Sequence, residues 1–582
     1  MKKINITIDG KKIIADEGQT ILEVAAENGI QIPSLCYHPD LSVKANCRIC
    51  IVSVKGLTSP QTACSTKVQK GMEITTESPE IAKLRKINLE LIFSQHKEEC
   101  ADCVWNFNCQ LLELSKKYKL QITRFSDRKS GFPIYNFGPA LQFDSSKCID
   151  CRNCVEVCHK QQVGHLQIVS KNNLQEIIPN DKNPCIFCGQ CIIHCPAGAF
   201  EGVGEFEEIE TPLADKNKVV VFQFAPAIRT TIGEEFNLPP GEDLTGQIVA
   251  GLKQLGANYV FDVSCGADFT TLEEATESLE RIRKNENLPL FSSCCPAWVR
   301  FIEVYYPQLI PHLTTARSPH VILGSILKSY WATKYQIDPV NLVVVSIMPC
   351  VAKKYEITRD ELRIHPTESI AANAPTLFGE ADRIPPVDYV LTTRELAKLF
   401  KKHKIDLTKI DPTPADDPFG NYSGAGVIYG ASGGVMESAL RTAFSLVSGG
   451  QKIQIEFQEV RGQKGLKTAQ VDLNGKKIKV AVANGLENAV KIIQGLNKEY
   501  KDYACIEVMA CPGGCIGGGG QPLPTNASVR KARAEGLYKI DEKKELKMAH
   551  ENPALKKVHE EFLTTEEIKQ KICHTYYSAK NN

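Results

Sequence analysis

Cys148, Cys151, Cys154 and Cys158 form a C-x2-C-x2-C-x3-C run, and Cys185, Cys188, Cys191 and Cys195 repeat it, followed by Pro196. Thiolates at this spacing close around iron–sulfur clusters, and in paired runs the fourth cysteine of each ligates the other cluster. Two further sets lie upstream. Cys36, Cys47, Cys50 and Cys64 contain one C-x2-C pair that fits a [2Fe–2S] loop, although the gap before it is ten residues rather than the four of the plant-type spacing. His96, Cys100, Cys103 and Cys109 offer one imidazole and three thiolates, a donor set that could hold zinc tetrahedrally. Zinc is the alternative at both sets. Lying between a [2Fe–2S] candidate and two [4Fe–4S] candidates, the histidine-containing set fits another [4Fe–4S] cluster, whose potential a histidine ligand can retune.

The last third of the chain carries thiols that an electron wire does not need. Phe-Ser-Ser-Cys-Cys-Pro-Ala-Trp (291–298), Met-Pro-Cys-Val-Ala-Lys-Lys-Tyr-Glu (348–356) and Glu-Val-Met-Ala-Cys-Pro-Gly-Gly-Cys (507–515) supply Cys295, Cys350, Cys511 and Cys515. Ligands converging from such distant segments point to an active site. Glycines follow Cys511 as far as Gly520, and glycine permits φ > 0 and close backbone approach to a bulky ligand. Gly517–Gly520 lacks the GxxxxGK[ST] pattern, so it is not a phosphate loop.

These groups need several supporting units. At 582 residues the chain exceeds one core, and three to five domains are expected. Hydrophobic content of 43% and charged content of 24% are ordinary for a globular protein. Lys+Arg 69 against Asp+Glu 68 leaves no basic excess for nucleic acid or an anionic membrane surface. The apolar stretches fall far below the ~20 residues of a membrane span. The start alternates like a strand and lacks an apolar leader core or a twin-arginine pair, so a cytoplasmic location is expected. The 23 cysteines cluster at two- and three-residue gaps, which argues for metal and against disulfides.

Residues 1–80 read as a β-rich [2Fe–2S] unit. Strands at Lys3–Ile8 and Lys11–Ala15 meet at Asp9-Gly10, and a helix runs from Thr20 to Asn28, with Thr20 and Glu23 as a capping box. Residues 81–125 are helix-rich (Ile81–Phe93) and hold the set of one histidine and three cysteines, and 140–205 is a two-cluster ferredoxin module. From 218 to 545, buried-strand runs at Val219–Phe224, Tyr259–Val263, Leu342–Ile347 and Tyr389–Thr392 alternate with amphipathic helices, including Thr271–Lys284. That alternation predicts an α/β domain with parallel sheets. Residues 546–582 read as a polar helical tail.

The head resembles the ferredoxin-like N-terminal part of respiratory NADH dehydrogenase subunits and related hydrogenases, which implies a β-grasp fold for residues 1–80. The three downstream motifs resemble the signatures of the iron-only, or [FeFe], hydrogenases: TSCCPxW, MPCxxKxxE and ExMxCxxGCxxGGGQP. Only Ser292 departs, standing for Thr. The resemblance covers the whole chain and implies the reaction 2H+ + 2e− ⇌ H2 at an H-cluster. That group is a [4Fe–4S] cubane joined to a two-iron unit carrying CO, cyanide and a bridging amine dithiolate. By position Cys295, Cys350, Cys511 and Cys515 match the cubane ligands, with Cys515 as the bridge. An unligated cysteine is commonly a small buried hydrophobe, but in this family the thiol matching Cys294 is the terminal proton donor. The proton channel matches Glu274, Glu277 and Arg281, spaced on one helix face, with Thr314 where serine is usual. Lys353 matches a cation that bonds metal-bound cyanide. Met509, Pro226, Ala227, Pro319, Tyr429 and Gly430 match the pocket wall, Ala227 where some members have Ser and Tyr429 where they have Phe. Cys265, Cys505 and Cys573 match no ligand and read as structural. One [2Fe–2S] and three accessory [4Fe–4S] clusters would carry electrons to or from ferredoxin or an NAD(P)-linked flavoprotein subunit, because the chain has no flavin or nicotinamide motif. Dedicated maturation enzymes are further implied partners. The alternatives are an electron-transfer iron–sulfur subunit, or a sensing or assembly protein of the same fold.

Overall fold

The computed structural model describes residues 2–101, 103–105, 109–128, 131–171, 174–204, 206–365, 383–449, 461–462, 465–473 and 475–580. Lys3–Ile8 and Lys11–Asp16 pair antiparallel, and Asp9 and Gly10 make the turn at φ 49° and 80°. Alternation turns Ile4, Ile6, Ile8, Ile13 and Ala15 into one small core. Glu73–Thr75 joins Lys3–Ile8 in parallel, extending a five-stranded sheet. The helix Ile21–Glu27 starts at the expected capping box of Thr20 and Glu23. The next helix, Pro79–Phe93, is stitched to this unit by buried Arg85, which donates to the carbonyls of Ile49, Ile51 and Thr76.

The two cysteine runs build a local repeat. Arg152 and Gly189, at φ 65° and 70°, turn the chain into the helices Asn153–Lys160 and Gln190–Ile193. Each turn therefore places three cysteines of its run around one point.

Beyond residue 218 two four-stranded sheets stand side by side. In the first, Val219–Phe224 lies between Tyr259–Asp262 and Leu342–Met348, with Tyr389–Thr392 outermost, all parallel. In the second, Leu290–Phe291, Tyr503–Met509 and Lys476–Asn484 are parallel, and Leu466–Leu473 adds an antiparallel edge. The strand predicted to reach Val263 stops at Asp262, whose carboxylate accepts from the Ser264 amide at 2.8 Å and caps a helix running to Lys284. This helix begins eight residues before the expected Thr271. Its first half is buried on every side, so the small and β-branched residues that weaken helix propensity are overridden by packing. At Gly266 a side chain would strike the Pro319 carbonyl.

The C-terminal tail is more than a polar appendage. Its helices Pro553–Glu561 and Glu566–Cys573 contribute Leu555, Val558, Ile572 and Cys573 to the core of the first sheet. Buried Arg317 holds the end of the tail by donating to the carbonyls of His574 and Lys571, both at 2.8 Å. Among the described residues no helix is long and apolar enough to cross a membrane.

Candidate metal centre and proton path

Parallel strands deliver loops at their carboxyl ends, and ligands gather where crossovers leave in opposite directions. Val219–Phe224, flanked on both sides by later strands, is such a point. Pro226 and Ala227 follow it, and Cys350 follows its neighbour Leu342–Met348. The second sheet aims at the same place, with Cys294 and Cys295 after Leu290–Phe291 and Cys511 and Cys515 after Tyr503–Met509. Two sheets thus bring four distant segments onto one apolar cavity.

Cys295, Cys350, Cys511 and Cys515 line that cavity together with Cys294, Lys353, Met509, Pro226, Ala227, Pro319, Tyr429 and Gly430. Burial, then the neighbouring thiolates, push Cys511 well above the ordinary thiol range, and burial with Cys350 and Cys295 lifts Cys515 to about 12. Four thiols raised in this way are poor isolated anions but suit a metal that displaces their protons. Soft sulfur donors beside an apolar chamber fit a cubane joined to a bulky iron unit.

Lys353 is the cation of the chamber. Its ammonium donates to the Cys294 carbonyl at 3.2 Å and to Glu356 Oε2 at 2.7 Å. Burial works against that charge, and Glu356 prevails, keeping Lys353 protonated. Burial also opposes the Glu356 carboxylate, but Lys353 and then His320 hold it near 2. His320 Nε2 lies 2.6 Å from Glu356 Oε2, and its Nδ1 lies 3.1 Å from the Ser346 hydroxyl. The motif's terminal glutamate is thus a buried counter-ion that fixes the lysine.

On the opposite side, burial and then Glu274 raise the Cys294 thiol far above its usual range, so it rests protonated. Burial lifts Glu274 to about 8. Thr314 Oγ1 donates to Glu274 Oε1 at 3.1 Å and lies 2.7 Å from the Ser293 hydroxyl. Glu277 pairs with Arg281 and accepts from the amide and hydroxyl of Thr315 at 2.9 and 3.1 Å. The predicted residues therefore do come together, although Glu277 bonds Thr315 and not Thr314. The phenol hydroxyl of Tyr429, which lines the cavity, lies 2.8 Å from Thr271 Oγ1.

A family model described as the C-terminal domain of the iron-only hydrogenase large subunit matches residues 218–519. The chain belongs to the [FeFe] hydrogenases. Further models match a 2Fe-2S cluster-binding domain at 1–79, an NADH-ubiquinone oxidoreductase-G iron–sulfur binding region at 85–124, a 4Fe-4S dicluster domain at 147–199 and the iron hydrogenase small subunit at 527–580. The chain is 37% identical to the NADP-reducing hydrogenase subunit HndD of Solidesulfovibrio fructosivorans, over 99% of each. It is 38% identical to iron hydrogenase 1 of Clostridium pasteurianum, over 96% of each. A solved variant of the apo [FeFe]-hydrogenase HydA1 from Chlamydomonas reinhardtii aligns with TM-score 0.55 and 36% identity, covering 65% of this chain and 99% of that one.

Burial and then Cys195 raise Cys151, while burial, Cys185 and Cys158 raise Cys188, so the fourth cysteine of each run lies near the first three of the other. Cys36, Cys47, Cys50 and Cys64 converge in the first unit and perturb one another. His96 Nδ1 lies 2.8 Å from the Lys147 carbonyl, so Nδ1 carries the ring proton and Nε2 is the nitrogen that would bind a metal. Cys36 shares a core cluster with Cys151, and Trp105, which lies between Cys103 and Cys109, donates to the Cys195 carbonyl at 3.1 Å. Both outer sites therefore abut the same inner one. At the other end, the Cys511 thiol donates toward the Cys188 carbonyl at 3.9 Å.

The glycine run corrects one expectation. Positive φ belongs to Gly513 and Gly514, at 83° and 90°, and not to Gly517–Gly520. At Gly517, Gly518 and Gly519 a side chain would strike the Pro512 carbonyl, the Pro349 carbonyl and the Gly189 backbone. These glycines let protein backbone pack on protein backbone, bringing the ferredoxin module against the catalytic site. His320 and Thr315 carry no motif of their own and escape sequence reasoning, and Ser293, although inside the first motif, receives no role from it. The signal available was polar residues next to Pro319, Cys294 and Thr314, and Glu356 closes the second motif with no role that spacing could assign.

Proposed function

We propose that the hydrogenase holds an H-cluster on Cys295, Cys350, Cys511 and Cys515, with Cys515 as the bridging thiolate. The convergence of four buried thiols, Cys294 and Lys353 on one apolar cavity carries this reading. When bound, that group, with its CO, cyanide and dithiolate ligands, supplies a Lewis-acidic iron beside an amine base for heterolytic chemistry on H2. Lys353, kept charged by Glu356, places a hydrogen-bond donor for an anionic ligand. Met509, Pro226, Ala227, Pro319, Tyr429 and Gly430 exclude water. Cys294, resting as a thiol, exchanges its proton with Glu274, which a pKa near 8 suits for relay work. Thr314, Ser293, Glu277 and Arg281 continue the path outward.

The same reading assigns a β-grasp [2Fe–2S] domain to 1–80 and a small helical [4Fe–4S] domain, ligated by one histidine and three cysteines, to 81–125. It places two [4Fe–4S] clusters in 140–205, the catalytic domain in 218–545 and a tail in 546–582. Electrons pass between neighbouring clusters, since tunnelling falls steeply with distance. The full-length similarity to an NADP-reducing hydrogenase subunit supports an NAD(P)-linked flavoprotein partner, with ferredoxin as the simpler donor. Twenty-three free cysteines fit a reducing, cytoplasmic compartment. Infrared spectra test the site: protein matured by the family's assembly enzymes should show bound CO and cyanide bands. Their absence from an active preparation would overturn the assignment. Copurification of a flavoprotein that confers NAD(P)-dependent H2 turnover tests the partner.

A further inference from the structure

The hydrogen bonds at Glu277 do not end at Arg281. Thr315 Oγ1, which donates to Glu277 Oε2, also lies 2.9 Å from His574 Nδ1. The other nitrogen of that ring, Nε2, lies 3.2 Å from Glu273 Oε2. Glu273 Oε1 in turn lies 3.7 Å from His559 Nε2, an ion-pair contact longer than a hydrogen bond. That nitrogen is buried without a hydrogen-bond partner, so transfer there requires the ring to swing closer. Glu273 and His574 are buried, whereas the His559 side chain is 20% exposed and stacks on Phe269. These residues come from three elements: the long helix, the loop before Pro319 and the tail. Backbone bonds lock them in place, with the Thr575 amide donating to the Thr315 carbonyl at 2.8 Å and the Arg317 amide to the Cys573 carbonyl at 2.7 Å.

We propose that Thr315, His574, Glu273 and His559 form a second proton branch, joining Glu277 to solvent separately from the mouth at Arg281. The proposal rests on the reading of Cys294, Glu274, Thr314 and Glu277 as the proton path. In the inward direction a proton taken up at His559 passes to the Glu273 carboxylate and then to Nε2 of His574. The Nδ1 proton moves to the Thr315 hydroxyl, which releases its own to Glu277. One proton enters, one leaves, and the ring ends in its other tautomer, which must reset before the next transfer. H2 oxidation runs the branch in reverse. Histidine suits this place because it binds and releases a proton near neutral pH. The charged and titratable groups around the branch are Arg281 and Glu274 beside Glu277, Lys569 and Cys573 beside Glu273, and Arg317, bonded to the His574 carbonyl.

The test uses the matured full-length enzyme with Arg281→Ala, His574→Phe and the double variant. Parallel branches predict that the double variant falls at least about tenfold below the product of the two singles, because each single leaves one route open. In the Arg281→Ala background the pH–rate profile should acquire a histidine-range pKa that His574→Phe abolishes, a change that a purely structural role would not produce. Placed in the Arg281→Ala background, Thr315→Val, which keeps the histidine but removes the hydroxyl, should repeat the double-variant loss, and Thr315→Ser should rescue it. Singles that simply multiply, with the pH profile unmoved, would overturn the branch. Glu274→Gln separates the two readings. If it abolishes turnover while the doubles only multiply, the branch alone fails; if it leaves turnover intact, the parent path fails as well.

Discussion

The ferredoxin module and the catalytic centre of this hydrogenase hold iron by opposite plans. In the module, three of every four ligands come from one short run, and the helices Asn153–Lys160 and Gln190–Ile193 place them locally. In the catalytic centre each ligand segment hangs from a different strand end, and the four thiols meet only because two sheets are correctly placed. The first plan survives small shifts of the framework. The second makes ligation a readout of the whole α/β core. It also leaves room between the ligand-bearing segments for groups that bind no metal, such as Cys294 and Lys353.

The sharpest break in this contrast is Cys295 against Cys294, adjacent thiols with unlike duties. Cys295→Ser should prevent assembly of the catalytic cluster and abolish H2 turnover, with its infrared bands lost while accessory cluster signals persist. Cys294→Ser should keep those bands, yet lower turnover by about 10²–10⁴-fold, because the terminal donor must give up a proton as an acid, which a hydroxyl is too weak to do. A relaying hydroxyl, by contrast, passes one proton on as it takes up another. Turnover near wild type in Cys294→Ser would remove that residue from the mechanism.

Glu274 gives the catalytic domain a pH signature of its own. Its folded pKa of about 8 lies above its ordinary 4.5, so between these values the folded chain keeps a proton that the unfolded chain has lost. Stability therefore falls as pH rises through that window, and Glu274→Gln should flatten the slope relative to wild type. A protonated-carboxyl infrared band, present at pH 6, missing at pH 10 and absent from Glu274→Gln, would identify the group; denaturation profiles with identical slopes would contradict it.

Where the two plans touch, Gly519→Ala should drive the module away from the catalytic site, since the new methyl meets Gly189 Cα at 2.7 Å. The expected cost is about 1–3 kcal/mol of stability, with slower turnover for electrons entering through the accessory clusters. Unchanged melting and unchanged turnover would show that the contact relaxes freely. The mildest change is His96→Cys, which should retain a [4Fe–4S] cluster with a shifted potential and weaker pH dependence. Zinc in the wild-type protein by elemental analysis would refute the cluster at residues 96–109.

Sequence spacing made the accessory ligands legible because their geometry is local. The catalytic cysteines, Cys294 and Lys353 were legible through motif resemblance, and the parallel strands through their apolar runs. What spacing could not show was convergence. Thr314 bonds Glu274 and its neighbour Thr315 bonds Glu277, a division of partners that one-dimensional spacing does not display. The early start of that helix was hidden because Val263–Thr271 is buried all round and carries no amphipathic stripe. The glycine run looked like a cradle for a ligand, and only the packing of Gly519 on Gly189 revealed backbone contact.

The tail has a consequence for the order of events during synthesis. Domains fold from the N-terminus as the chain emerges, and the cysteine runs are complete by Cys195. The core of the first sheet is not: it lacks Leu555, Val558, Ile572 and Cys573 until the segment carrying them has emerged. The accessory modules can therefore be structured while that core is still open, and Arg317 helps to close it by gripping the carbonyls of Lys571 and His574.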